Sequence, residues 1–119
     1  MDATLHATVP YLDPARFTSA VERGHGLAMV DFTADWCPPC RAIAPHVESV
    51  AREFASKLLV AKINVDDHPE LSSRFGVLGI PVIIFFRDGQ AVDRIVGAVP
   101  LARLRARVEE LLAGSTAGS

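Results

Sequence analysis

Cysteine is scarce in this sequence. The 119 residues hold two, Cys37 and Cys40, separated only by Pro38 and Pro39. A thiol is a weak nucleophile; the thiolate is the form that attacks a disulfide. The location of the pair favours the thiolate. The run LAMVDF (27–32) is apolar apart from its aspartate, as in a strand covered on both faces. From Pro39 to Ala55 the apolar residues Cys40, Ile43, Ala44, Val47, Val50, Ala51 and Phe54 recur at helical spacing. Cys37 therefore falls at a helix N-terminus, where free N–H groups and the positive end of the dipole stabilise a negative sulfur. The two prolines lose little in a first helical turn, whose N–H groups have no intrahelical partners. The N–H of Cys40 is left to face the sulfur of Cys37. Cys40 opens the apolar stripe and is expected to be the buried member of the pair.

Two other readings compete. A structural zinc site needs about four ligands. Beyond the two thiols, His6, His25, His46 and His68 show no ligand cluster, so no metal is expected. An inert core pair belongs in the middle of an element, whereas Cys37 adjoins a turn.

Two charges interrupt apolar strands: Asp31 in LAMVDF and Lys62 in LLVAKINV. A lone buried charge costs several kcal/mol and normally finds a partner or becomes neutral. The economical arrangement brings Asp31 and Lys62 together beneath the thiols. Burial would raise the carboxyl pKa and the lysine would oppose that rise, leaving Asp31 able to exchange a proton with Cys40 through water. The bland alternative makes Asp31 a partly exposed strand end and Lys62 a residue that extends its ammonium to solvent.

The elements that would position these groups follow from pattern. A length of 119 residues suggests one domain, with a core over about 8–113 and a small polar tail at 114–119. Half the residues are hydrophobic and 22% charged, which excludes a disordered chain. The net charge of −2 gives no electrostatic basis for binding nucleic acid or an anionic membrane. The first ten residues lack a basic n-region and a long apolar run, so a cytoplasmic protein is expected. TVPYL (8–12) reads as an edge strand, because Pro10 cannot donate to a ladder. Asp13 and Pro14 start a helix that Gly24 and Gly26 end. KLLVAKINV (57–65) is a buried strand. DHPELSSRFG suggests a short helix with a capping box of Asp67 and Glu70. PVIIFF and AVDRIV flank Asp88-Gly89, a hairpin signal, and a last helix covers about 100–112. The order β-α-β-α-β-α-β-β-α implies a mixed sheet with helices on both faces.

The segments VDFTADWCPPC, IAPHVESVA, VAKINVD, GIPVIIFFRDG and IVGA resemble the thioredoxin family over about residues 10–113. The resemblance implies a five-stranded mixed sheet of order 1-3-2-4-5 with four flanking helices. It implies Cys37 as the attacking thiol, Cys40 as the resolving thiol, Asp31 as the buried acid and Lys62 as its partner. Pro81 matches the family's cis-proline, which leaves a backbone edge at Ile80 for an extended substrate. Trp36, Pro39, Val65, Gly79, Val96, Gly97 and Ala98 match the surface around the thiols, and Pro38, between the cysteines, is expected on the same substrate-binding surface. The implied activity is reduction of protein disulfides by a monomer that binds no cofactor, with electrons arriving from NADPH through thioredoxin reductase. An oxidase or isomerase-like protein, or a non-catalytic binding module, are the alternatives. The chain departs from the family in having Pro38 where glycine is usual, Thr33 where some members have tryptophan, and Pro100 where a serine cap is common.

Overall fold

The computed structural model describes residues 9–114. Helix α1 (Pro14–Phe17) starts as its sequence dictates: the Asp13 carboxylate accepts the Arg16 N–H at 2.7 Å and Pro14 holds the first turn. The chain then widens into a π-helical segment, Thr18–Glu22, closed by Arg23 N–H donating to the Thr18 carbonyl at 2.9 Å. The remaining elements are β1 (Leu27–Thr33), α2 (Pro38–Glu53), β2 (Leu58–Asn64), α3 (Pro69–Arg74), β3 (Val82–Arg87), β4 (Gln90–Val96) and α4 (Leu101–Leu112).

The sheet has order β2-β1-β3-β4, with β1 parallel to β2 and antiparallel to β3. This corrects the five-stranded expectation. The segment expected as the first strand lies where order 1-3-2-4-5 requires, beside β2, but among the described residues it contributes one parallel bridge, Tyr11 to Lys62. Lys62 N–H donates to Pro10 O at 2.9 Å and Leu12 N–H to Lys62 O at 2.8 Å. Pro10 has no N–H with which to extend that ladder. Thr8, and the expected tail beyond Gly114, lie outside the described residues. The capping box at α3 is also corrected. His68, not Asp67, is the N-cap, and it makes no side-chain cap. With Pro69 at the first helical position, the approach is tied instead to Asn64, whose side chain accepts from Asp66 N–H at 2.9 Å.

Alternation along β1 divides the core. Leu27 and Met29 join Ile43, Val47 and Val50 of α2 and Leu104, Val108 and Leu111 of α4. Ala28, Val30 and Phe32 join Phe17, Val21 and Leu71 on the opposite face. On that second face Phe75 packs edge-on against Phe17 and Phe86, each with centroids 5.4 Å apart. The β3–β4 hairpin turns at Asp88 and Gly89, with φ of 50° and 84°. Asp88 anchors the turn by accepting the Gly26 N–H at 2.7 Å.

Gly26 and Gly89 both have φ +84°, but a Cβ on Gly26 would meet open space and one on Gly89 would lie 2.2 Å from the Glu22 carbonyl oxygen. Gly26→Ala is expected to cost about 1 kcal/mol from backbone strain alone. Gly89→Ala adds overpacking against backbone and is expected to cost about 3 kcal/mol or more. Urea unfolding of the two variants checks the difference; equal costs would contradict it.

Candidate active site

Strand β1 delivers the chain to a turn at Ala34–Trp36, and Cys37 then caps α2. Its backbone is extended (φ −89°, ψ 111°), and its sulfur accepts the Cys40 N–H at 3.3 Å. A sulfur thus occupies the place a serine or aspartate oxygen takes in an ordinary N-cap. Pro38 and Pro39 fill the first two helical positions. Cys37 and Cys40 form a disulfide, with Cα atoms 5.2 Å apart. The expectation that Cys40 alone is buried fails: Cys37 is 3% exposed and Cys40 2%. What separates them is the surroundings each sulfur-bearing residue faces.

Cys37 lines an apolar groove of about 420 Å³ together with Trp36, Pro38, Pro39, Val65, Gly79 and Ile80. Pro69, Ser72, Val77 and Leu78 complete its wall, and sequence reasoning did not identify them. Leu78 is fully exposed, an apolar side chain left in a loop between α3 and β3. That mismatch between residue type and loop position was the available signal. Trp36 is 63% exposed and is held by its Nε1–H, which donates to Asp66 Oδ2 at 2.8 Å. The Ile80–Pro81 bond is cis, and the Ile80 carbonyl oxygen lies 3.9 Å from Cys37 Sγ. Val96, Gly97 and Ala98 do not line the groove. Gly97 N–H donates to Pro81 O at 2.9 Å, which fastens the end of β4 to the proline turn, and Val96 stands 68% exposed.

Cys40 lines a second cavity, about 280 Å³, shared with Tyr11, Asp31, Thr33, Asp35, Arg41 and Lys62. Asp31 is 3% exposed, and its Oδ1 has no hydrogen-bond partner. Lys62 is its register partner on β2, so both side chains leave the same face of the sheet. Among the described residues the two make no ion pair. The Lys62 ammonium lies over the Tyr11 ring, 4.4 Å from its centroid. Loss of hydration pushes the Asp31 carboxyl from an ordinary 3.8 up to about 7, with the charge of Lys62 opposing the rise. Among the described residues no three His, Cys, Asp or Glu side chains converge as a metal site.

This burial makes stability fall with pH. The folded chain keeps the Asp31 proton over a range where the unfolded chain has lost it, so stability declines as pH rises from about 4 to about 7. A pKa displaced that far corresponds to on the order of 4 kcal/mol. Asp31→Asn is expected to remove that decline and to be the more stable protein above neutral pH, by several kcal/mol. Chemical unfolding of both proteins across that range checks it; parallel curves would contradict it.

Against known proteins, the thioredoxin family model matches residues 8–110. A thioredoxin of Alicyclobacillus acidocaldarius subsp. acidocaldarius is 42% identical over 101 residues, covering 85% of this chain and 95% of the relative. A thioredoxin of Rhodospirillum rubrum is 43% identical over 95 residues, 80% of this chain and 91% of the relative. One of Synechocystis sp. (strain ATCC 27184 / PCC 6803 / Kazusa) is 37% identical over 106 residues, 89% and 99%. A bonded cysteine pair at a helix N-terminus, on this sheet and with these relatives, has one consistent assignment: the chain belongs to the thioredoxin family and is a thiol–disulfide oxidoreductase.

Proposed function

We propose that the protein reduces disulfides in other proteins, with Cys37 attacking and Cys40 resolving. The Cys37 thiolate attacks one sulfur of the substrate disulfide, forming a mixed disulfide and releasing the other sulfur as a thiolate that takes up a proton. Cys40 then gives its proton, through water in the polar cavity, to the Asp31 carboxylate. The resulting Cys40 thiolate attacks Cys37 Sγ and expels the second substrate sulfur. Two electrons reach the substrate, and Cys37 and Cys40 end as the disulfide. Electrons return from NADPH through a thioredoxin reductase, and the protein itself holds no cofactor. In this reading it acts as a cytoplasmic monomer and forms one domain. No helix among the described residues is long and apolar enough to cross a membrane.

The observation that carries the reading is the division of the two cysteines between two cavities. Cys37 faces an open apolar groove that fits a substrate segment, and Cys40 faces the cavity that holds Asp31. The exposed faces of Trp36 and Leu78 supply apolar contact, and the Ile80 backbone beside Cys37 Sγ offers a backbone edge for an extended peptide. Val96, Gly97 and Ala98 would extend that surface beyond the groove.

A second reading, net oxidation or isomerisation, rests on Pro38. The residues between the cysteines tune the relative stability of thiolate and disulfide, and a proline here removes one N–H from the first helical turn. Equilibration with glutathione, read by alkylation, gives the potential and decides the direction.

In an insulin-reduction assay, Cys37→Ser is expected to lose activity by about 1,000-fold or more; full activity would end the mechanism. Cys40→Ser is expected to accumulate mixed disulfides that dithiothreitol releases, whereas partners insensitive to dithiothreitol would mark a binding module. Asp31→Asn is expected to slow mixed-disulfide resolution by roughly 10- to 100-fold near neutral pH, with the deficit closing as pH rises. A resolution rate equal to wild type across that range would remove Asp31 from the proton path.

A further inference from the structure

We propose that Tyr11 is a positioning residue for proton transfer at Cys40. Its ring holds the Lys62 ammonium away from Asp31, so that the buried carboxyl stays free to exchange a proton instead of being locked in an ion pair. The proposal rests on the reading of Asp31 as the proton-transfer group.

Three neighbouring chain segments set the geometry. Tyr11 pairs with Lys62 at the sheet edge, and Lys62 pairs with Asp31 on the next strand inward. Lys62 therefore stands between a ring on its outer side and a carboxyl on its inner side, with all three side chains on one face. Its ammonium takes the outer partner, 4.4 Å from the ring centroid, and makes no ion pair with Asp31. The backbone fixes this choice, because Pro10 O and Leu12 N–H both bond to Lys62 and hold Tyr11 opposite it. An ammonium over an aromatic face is attracted by the ring quadrupole, more strongly when partly shielded from water. Tyr11 is 51% exposed, so its ring is not required to fill the core.

The other groups around Asp31 do not replace Lys62. They are Cys40, Arg41 and Glu48 from α2, and Asp35 from the turn after β1. Arg41 donates from Nη1 to the Asp35 carbonyl at 2.8 Å. Asp35 and Glu48 are acidic and supply no cation to pair with it. Lys62 is the charge that opposes the effect of burial on Asp31. Moving its ammonium inward would strengthen that opposition and fix Asp31 as a carboxylate.

The test uses the oxidised full-length protein and follows the Asp31 carboxyl carbon by NMR as pH is varied. Tyr11→Ala is expected to lower the Asp31 midpoint by about one pH unit or more, as Lys62 swings inward. Tyr11→Phe keeps the aromatic face and is expected to titrate as wild type. With Lys62→Met in the background, Tyr11→Ala is expected to leave the midpoint unchanged, since the ring acts through the ammonium. An unchanged midpoint in Tyr11→Ala, an equal shift in Tyr11→Phe, or a shift that persists with Lys62→Met overturns the proposal. Failure of the Asp31 reading itself would appear elsewhere, as an Asp31→Asn protein with a wild-type resolution rate.

Discussion

A carboxyl group buried in the central region of the sheet is the constraint on which this site depends. Asp31 occupies a strand flanked on one side by Lys62 and on the other by Ile83. One of its oxygens has no hydrogen-bond partner. Ionising such a group costs on the order of 4 kcal/mol here, against a typical net domain stability of about 5–15 kcal/mol. The fold bears that cost with two well-filled apolar layers, one against α2 and α4 and one built on Phe17, Phe32 and Phe86. Asp31 shares its cavity with Cys40.

The same sheet geometry produces an asymmetry between two cysteines that burial alone would not distinguish. Both are almost fully covered, and they are bonded to each other. Because α2 starts at Cys37, that residue sits at the rim and shares the apolar groove with Trp36 and Ile80. One helical turn later Cys40 points toward the sheet and shares the polar cavity with Asp31 and Lys62. A helix start thus sorts a pair of identical side chains into one that lines an apolar groove and one that lines a cavity with a buried acid. The sulfur of Cys37, accepting the Cys40 N–H, is part of the helix cap itself, so its position and the start of α2 are set together.

Much of this was legible in the sequence, for physical reasons that can be named. Apolar runs and helical periodicity located β1, α2, β2, β3 and α4, and Asp88-Gly89 marked the hairpin. The charges of Asp31 and Lys62 were conspicuous because each interrupts an apolar strand. Pairing partners were harder to read. Pro10 marks a poor ladder residue, yet the reduction of its segment to one bridge among the described residues depends on what lies beside it. At α3 the capping pattern misled, because Pro69 moved the cap to His68. Leu78 and Tyr11 went unnoticed for a common reason. Each acts by standing beside residues distant in sequence, Leu78 beside the groove of Cys37 and Tyr11 across from Lys62. The burial of Cys37 was missed because a residue at a helix start can still be covered by a neighbouring loop, here the one carrying Ile80.

The central claim is that Asp31 is held at the balance between acid and carboxylate by its surroundings. The most direct measurement is the protonation state of Asp31 in the oxidised wild-type protein, followed through its carboxyl carbon resonance as pH rises from acid to alkaline. A single titration centred near 7, well above the ordinary carboxyl value of 3.8, is expected. A carboxyl already ionised below about pH 5, as for an exposed aspartate, would contradict it.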